Sequence, residues 1–179
     1  MKIIDLTQEL FDHMSVYPGD PDFIIEQVQT LDKEGWNMKR IHMNLHDGTH
    51  VNAPIHATTS GKTLDALPLE RFMGKCVLYK DDIIFEPNVG VIFSTQNIDM
   101  PIAEKMIKPP PKFVGLSEKF EFDIEVEKYL LAHDIISFEN LTNTEALPES
   151  FTFYGFPLRV RGGDGSPVRA VAIIDEHNL

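Results

Sequence analysis

Three of the chain's seven histidines fall within eleven residues, His46-Asp47-Gly48-Thr49-His50-Val51-Asn52-Ala53-Pro54-Ile55-His56. The Asp47-Gly48 turn and the Ala53-Pro54 break interrupt the run, so no regular helix can carry all of it. An extended segment can, and along it His50 and Asn52 share one face. His46 lies across the turn and can fold back toward the same point. His56 follows the proline and can approach from another side. Imidazoles converging in this way point to a metal site with one histidine left over for proton transfer. None of the standard zinc spacings is matched, so on residues alone a polar loop with unconnected histidines stays open.

The rest of the chain sets bounds on that reading. Its 179 residues suit one domain, 1–179, with a sizeable core. No apolar run approaches the roughly 18 residues of a membrane span. Met1-Lys2-Ile3-Ile4-Asp5-Leu6 meets an acid at the fifth residue, which argues against a secretory leader. The lone Cys76 cannot form an internal disulfide, which suits a reducing cytoplasm. It sits in Lys75-Cys76-Val77-Leu78-Tyr79, where a small core hydrophobe is expected rather than a nucleophile. A net charge of −12 argues against nucleic acid and anionic membrane surfaces as partners.

Strand signals outnumber helical ones. Ile3–Leu6, Phe23–Leu31, Trp36–Leu45, Lys75–Lys80, Val89–Ser94, Phe113–Leu116, Ile135–Glu139, Phe151–Arg161 and Val168–Asp175 read as strands or strand regions. Trp36–Leu45 alternates and delivers the chain to the histidines. Ile98–Lys108 and Asp123–His133 have helical spacing, and Leu64–Gly74 reads as two short helical pieces ended by glycine. Gly162-Gly163-Asp164-Gly165 reads as a hairpin turn and not a phosphate loop, since no helix pattern follows it. In the second long helix Glu127 interrupts an apolar stripe of Ile124, Leu130 and Leu131. A carboxylate there is costly to bury unpaired. A cation is one partner, and Arg159, Arg161 or Arg169 is another.

At this point the residues resemble a known family, the cyclase-like metal-dependent hydrolases, which include bacterial kynurenine formamidase and isatin hydrolase. Its signature is His-x-Gly-Thr-His-x-Asp-x-Pro-x-His, matched by His46 through His56 at every fixed position except Asn52. Ile4-Asp5-Leu6-Thr7, Tyr17-Pro18-Gly19-Asp20, Ile136-Ser137-Phe138-Glu139-Asn140-Leu141 and Gly165-Ser166-Pro167-Val168-Arg169-Ala170 are similar too, so the resemblance spans nearly the whole chain. It implies an α/β fold of the swivelling β/β/α type, with a mixed β-sheet core and a few helices, and a homodimer or homotetramer. It implies one or two divalent ions, zinc or manganese, and a small-molecule substrate. His46 and His50 become metal ligands, His56 the general acid/base, and Glu139 a ligand from a late strand. Asn52 stands where the family has a bridging aspartate, and Glu127 where it has a histidine ligand.

These two departures keep the summed charge of the ligand set while shifting it toward oxygen. That tilts preference toward manganese or magnesium relative to zinc. The expected activity is hydrolysis of a small amide, formamide, lactam or lactone by metal-activated water. Because Asn52 offers one neutral oxygen, a catalytically impaired metal- or small-molecule-binding homologue is the second reading. A structural subunit with incidental histidines is the third. Trp36, Phe72 and Phe23 are candidates for an aromatic-lined pocket as well as for the core.

Overall fold

A computed structural model of the chain describes residues 1–175; His177, to which the sequence assigns no role, lies outside them. The elements in chain order are β1 (Lys2–Asp5), β2 (Ile24–Gln29), the single turn α1 (Leu31–Glu34), β3 (Met38–His42), β4 (His50–Asn52), β5 (Met73–Leu78) and β6 (Gly90–Phe93). There follow α2 (Met100–Met106), β7 (Phe113–Ser117), α3 (Ile124–Ala132), β8 (Ile136–Leu141), β9 (Ser150–Tyr154), β10 (Gly165–Pro167) and β11 (Val171–Ile174). Short 3-10 turns occupy Pro54–His56, Leu64–Ala66, Leu69–Phe72 and Thr144–Ala146.

Nine strands form one mixed sheet in the order β1-β11-β9-β5-β6-β7-β8-β4-β10, and β2 and β3 form a separate two-stranded arm. The run β5-β6-β7-β8 is parallel and the other pairings are antiparallel. The parallel run requires crossovers, which α2 and α3 supply between β6, β7 and β8. Because β1 pairs with β11, one sheet draws in both ends of the described chain. This is the α/β mixed-sheet architecture expected from the sequence. No helix among the described residues is long and apolar enough to cross a membrane.

Period-two alternation divides the core into two layers. Ile92, Phe113, Ile136, Phe138 and Val51 join a cluster with Phe72, Phe151 and Phe153 on one side of the sheet. Val91, Phe93, Val114 and Leu116 face the other side, under Ile102, Ala103 and Met106 of α2 and Val126 and Leu130 of α3. Asp99 caps α2, accepting from the Ile102 N–H, and Asp123 caps α3, accepting from Glu125 and Val126.

Several expectations are corrected. Ile124 is exposed at the first position of α3, and the buried stripe is Val126, Leu130 and Leu131. Gly74 does not end a helix; it lies inside β5 at φ 139°. The strand expected over Phe151–Arg161 stops at Tyr154, and Pro157 keeps only an isolated bridge to Val168. Proline has no N–H to continue a ladder. Trp36 does not join the core. It is 62% exposed on the β2–β3 arm, whereas Phe23 and Phe72 are fully buried.

Candidate metal centre

The polar cluster grows out of one register. β4 and β8 run antiparallel with His50 opposite Glu139, Val51 opposite Phe138 and Asn52 opposite Ser137. Alternation sends Val51 and Phe138 into the apolar layer and leaves His50, Asn52, Ser137 and Glu139 on the other face. α3 packs over β8 and sets Glu127 against that face. The 3-10 turn opened by Pro54 returns His56 to the same place. On the far side of β4 the ladder to β10 pairs Gly165 with Asn52, and Ala53 N–H donates to the Asp164 carbonyl at 2.8 Å. That pairing delivers the Asp164 side chain to the histidines.

The turn before β4 is held from three directions. Asn44 N–H donates to Asp47 Oδ2 at 2.7 Å, and Gly48 takes a left-handed φ of 65° that suits glycine. The Gly48 carbonyl accepts from His50 Nδ1 at 2.9 Å and from Asn140 Nδ2 at 3.0 Å. Thr49 Oγ1 donates to the Asn140 carbonyl at 2.7 Å and accepts from Gln8 N–H at 2.8 Å. The hydroxyl therefore orients the motif, stitching the segment after β1, the histidine turn and the end of β8 together.

Within the cluster, the Asn52 amide is wholly buried and donates to Glu127 Oε1 and to Glu139 Oε1, each at 2.6 Å. Its oxygen accepts from His46 Nδ1 at 2.7 Å. Ser137 Oγ donates to Glu127 Oε1 at 2.8 Å. His50 Nε2 lies 3.3 Å from Glu139 Oε1. His46 Nε2 lies 3.0 Å and His56 Nδ1 3.3 Å from the same oxygen, Oδ2 of Asp164. The His46 and His56 rings lie 4.1 Å apart, centre to centre.

Charge follows these contacts. Burial opposes the charged form of His50, yet the Glu139 carboxylate outweighs it and holds His50 above its ordinary value. Burial, with Glu139 beside it, pushes the Glu127 carboxyl up. Glu139 is held low despite its burial, through the His50 hydrogen bond and charge and the Asn52 donor. Asp164 is held low, against partial burial, by His46 and His56.

The Cyclase family model matches residues 4–114. The chain belongs to the cyclase family. Kynurenine formamidase of Salinibacter ruber is 25% identical over 210 residues, covering 96% of this chain and 97% of that one. Isatin hydrolase A of Ralstonia solanacearum has the same fold at a TM-score of 0.79 and 18% identity, over 97% of this chain and 92% of that one. A structure described as a potential metal-dependent hydrolase with cyclase activity matches at a TM-score of 0.73 and 22% identity, over 96% of each chain.

All six residues singled out in the sequence, His46, His50, Asn52, His56, Glu127 and Glu139, come together in this cyclase-family chain. Among the described residues Glu127 takes no arginine partner. Its hydrogen bonds come from Asn52 and Ser137, and Arg169 is engaged by Asp5 with Nε 3.1 Å from Oδ1. Glu139 faces His50 instead of solvent. His42 stays on the arm beside Glu26, 3.6 Å away. Two participants were missed. Ser137 is a single polar residue in an apolar strand run. Asp164 sits in a glycine-rich turn that reads as a reversal, and its role depends on a pairing with β4 that no local pattern marks.

A divalent ion fits part of this cluster and not all of it. One donor atom each from His46, His56 and Asp164 lies within 4.8 Å of the others. At the position of Asn52 the geometry is that of a hydrogen-bond donor, with N–H groups aimed at two carboxylates.

Proposed function

We propose that this cyclase-family chain is a hydrolase of a small amide, formamide, lactam or lactone, working with a bound zinc or manganese ion. The observation that carries the reading is the convergence of three imidazoles and three carboxylates, from segments as far apart as His46 and Asp164, on one partly open site. The full-length match to a kynurenine formamidase supports the substrate class. Bound at such donors, a divalent ion lowers the pKa of water and polarises a carbonyl.

The chain's own residues do the rest. Glu139 and the buried His50 form a cross-strand pair at the floor of the site. Glu127 is a carboxyl held toward its protonated form by burial, the condition in which a carboxylic acid can return a proton to a leaving group. His56, at the open rim, can exchange protons with water if a ring nitrogen is free, or can give that nitrogen to the ion. A homodimer or homotetramer is supported by the arm, which leaves Leu31, Trp36, Met38 and Ile41 uncovered.

A second reading, a binding protein that has lost catalysis, is favoured by one observation: the Asn52 amide occupies the space between Glu127 and Glu139. The two are separated by stripping the protein with a chelator and assaying N-formyl arylamines, isatin and simple lactones with Zn²⁺ or Mn²⁺ restored. Turnover that requires the ion supports the hydrolase. Ion binding without turnover of any of these supports the binding protein, and absence of both removes the two together.

A further inference from the structure

β8 carries an irregularity beside the site. Along the β7–β8 ladder Gly115 pairs with Phe138 and Ser117 with Leu141, so β8 takes three steps where β7 takes two. The extra residue makes a bulge, and Asn140 within it has a left-handed φ of 56°. Asparagine tolerates that region better than most residues. Strict alternation would send Phe138 and Leu141 to opposite faces, yet both lie in the same apolar layer. The consecutive side chains of Glu139 and Asn140 both turn to the polar side.

There Asn140 holds the histidine turn at two adjacent residues. Its carbonyl accepts from Thr49 Oγ1 at 2.7 Å, and its Nδ2 donates to the Gly48 carbonyl at 3.0 Å. A carbonyl can only accept, so the NH2 end of the Asn140 amide must face Gly48. The same carbonyl is 2.9 Å from His50 Nδ1, which must therefore carry a hydrogen. His50 is left with Nε2 turned into the site, 3.3 Å from Glu139 Oε1. The two donors fill both lone pairs of the Gly48 oxygen. Gly48, at φ 65°, leaves the direction of that carbonyl to its partners, because a glycine backbone restricts itself so little.

We propose, on the metal-dependent reading above, that Asn140 is a positioning residue of this site: its amide aims the Gly48 carbonyl, and that carbonyl fixes the hydrogen of His50 on Nδ1 and leaves Nε2 available to the ion. Asn140 touches neither ion nor substrate and acts through Gly48 and His50. An imidazole whose second N–H is fixed by a backbone carbonyl is set in one tautomer and one ring direction, and is a better ligand for it. The bulge adds the other half, since it keeps Glu139 facing the same ring. A residue needed only for the bulge would have a different signature: glycine, which takes a positive φ freely, would replace it without loss.

Two variants test this. Asn140→Gly keeps the left-handed backbone and removes the amide, and Asn140→Asp keeps the shape but sets an acceptor against the Gly48 carbonyl. In chelator-stripped protein in alkaline buffer, where the ring is neutral, long-range ¹H–¹⁵N spectra should show His50 of the unmutated protein with its hydrogen on Nδ1 alone. In both variants the pattern should move toward a mixture of the two tautomers, and calorimetry should show Zn²⁺ binding weakened about tenfold or more. An Asn140→Gly protein that keeps the His50 pattern and the affinity of the parent would overturn the proposal. So would a hydrogen on Nε2 of His50 in the unmutated protein, a result that depends on no variant folding. If the unmutated protein binds neither Zn²⁺ nor Mn²⁺, the metal-dependent reading fails by itself, and the tautomer comparison still decides the role of Asn140.

Discussion

His50 and Glu139 stand directly opposite each other on β4 and β8, with Nε2 3.3 Å from Oε1, the His50 side chain buried and Glu139 half-buried. Their coupling makes the stability of the metal-free protein depend on pH in both directions. His50 is raised above its ordinary 6.5, so its contribution is complete below 6.5 and fades as pH rises through the raised value. Glu139 is lowered from 4.5, so its contribution is complete above 4.5 and fades as pH falls through the lowered value. Glu127, raised from 4.5, adds a loss as pH climbs through its raised value. The thermal midpoint of stripped protein should therefore peak between about pH 4.5 and 6.5, and His50→Gln should flatten the alkaline decline. A midpoint still climbing at pH 8 would contradict this account.

Replacing Asn52 by Asp removes the amide that donates toward Glu127, Glu139 and Ser137 and places a third carboxylate against the two glutamates. Without metal, Asn52→Asp should cost about 2–5 kcal/mol at neutral pH, or on the order of 5–15 °C in thermal midpoint for a chain of this size. Mn²⁺ or Zn²⁺ should then restore the variant by more than it stabilises the parent, because an inner site has been created. Equal stability of the two proteins in chelator would show that Asn52 is not the donor between these carboxylates.

Gly165 lies against the His46 ring. A Cβ there would fall 2.4 Å from Cε1 and 2.8 Å from Nδ1, closer than such atoms pack. Gly165→Ala should displace the ring, cost about 1–3 kcal/mol in overpacking and weaken metal binding about tenfold or more. Denaturant unfolding and calorimetry measure the two effects. A variant that binds as tightly as the parent would show that the ring position is not critical.

Thr49→Val keeps the shape of the side chain and removes the hydroxyl that joins Gln8 to Asn140. The half-buried Asn140 carbonyl and Gln8 N–H lose a partner, at about 1 kcal/mol. Urea unfolding should show the loss, with a lowered midpoint and an unchanged slope.

The arm gives a prediction about assembly. Ile41 is 50% exposed on β3, whose residues are all exposed, and Trp36 is 62% exposed in the bend just before that strand. Trp36→Asp with Ile41→Asp should reduce the mass seen in sedimentation toward that of a single chain without lowering the thermal midpoint of the fold. An unmutated protein already monomeric at micromolar concentration would refute the assembly reading.

What the sequence determined was local. The turn at Asp47-Gly48, the break at Pro54 and the alternation about Val51 dictate that His50 and Asn52 leave an extended segment on one side. Glu127 was legible as a carboxylate in an apolar helix, and Glu139 as the acid that ends an apolar strand run. Ile124 misled, because helical spacing does not say where a stripe meets solvent at a helix end. Trp36 misled as well, because alternation says nothing about whether a sheet covers the strand. What only the tertiary structure decided was pairing. Asp164 reaches His46 and His56, more than a hundred residues earlier, because β10 lies beside β4. Strand register across such separations is set by the packing of whole layers, which have no local signature, and that packing also brings Asn52 within hydrogen-bond reach of both Glu127 and Glu139.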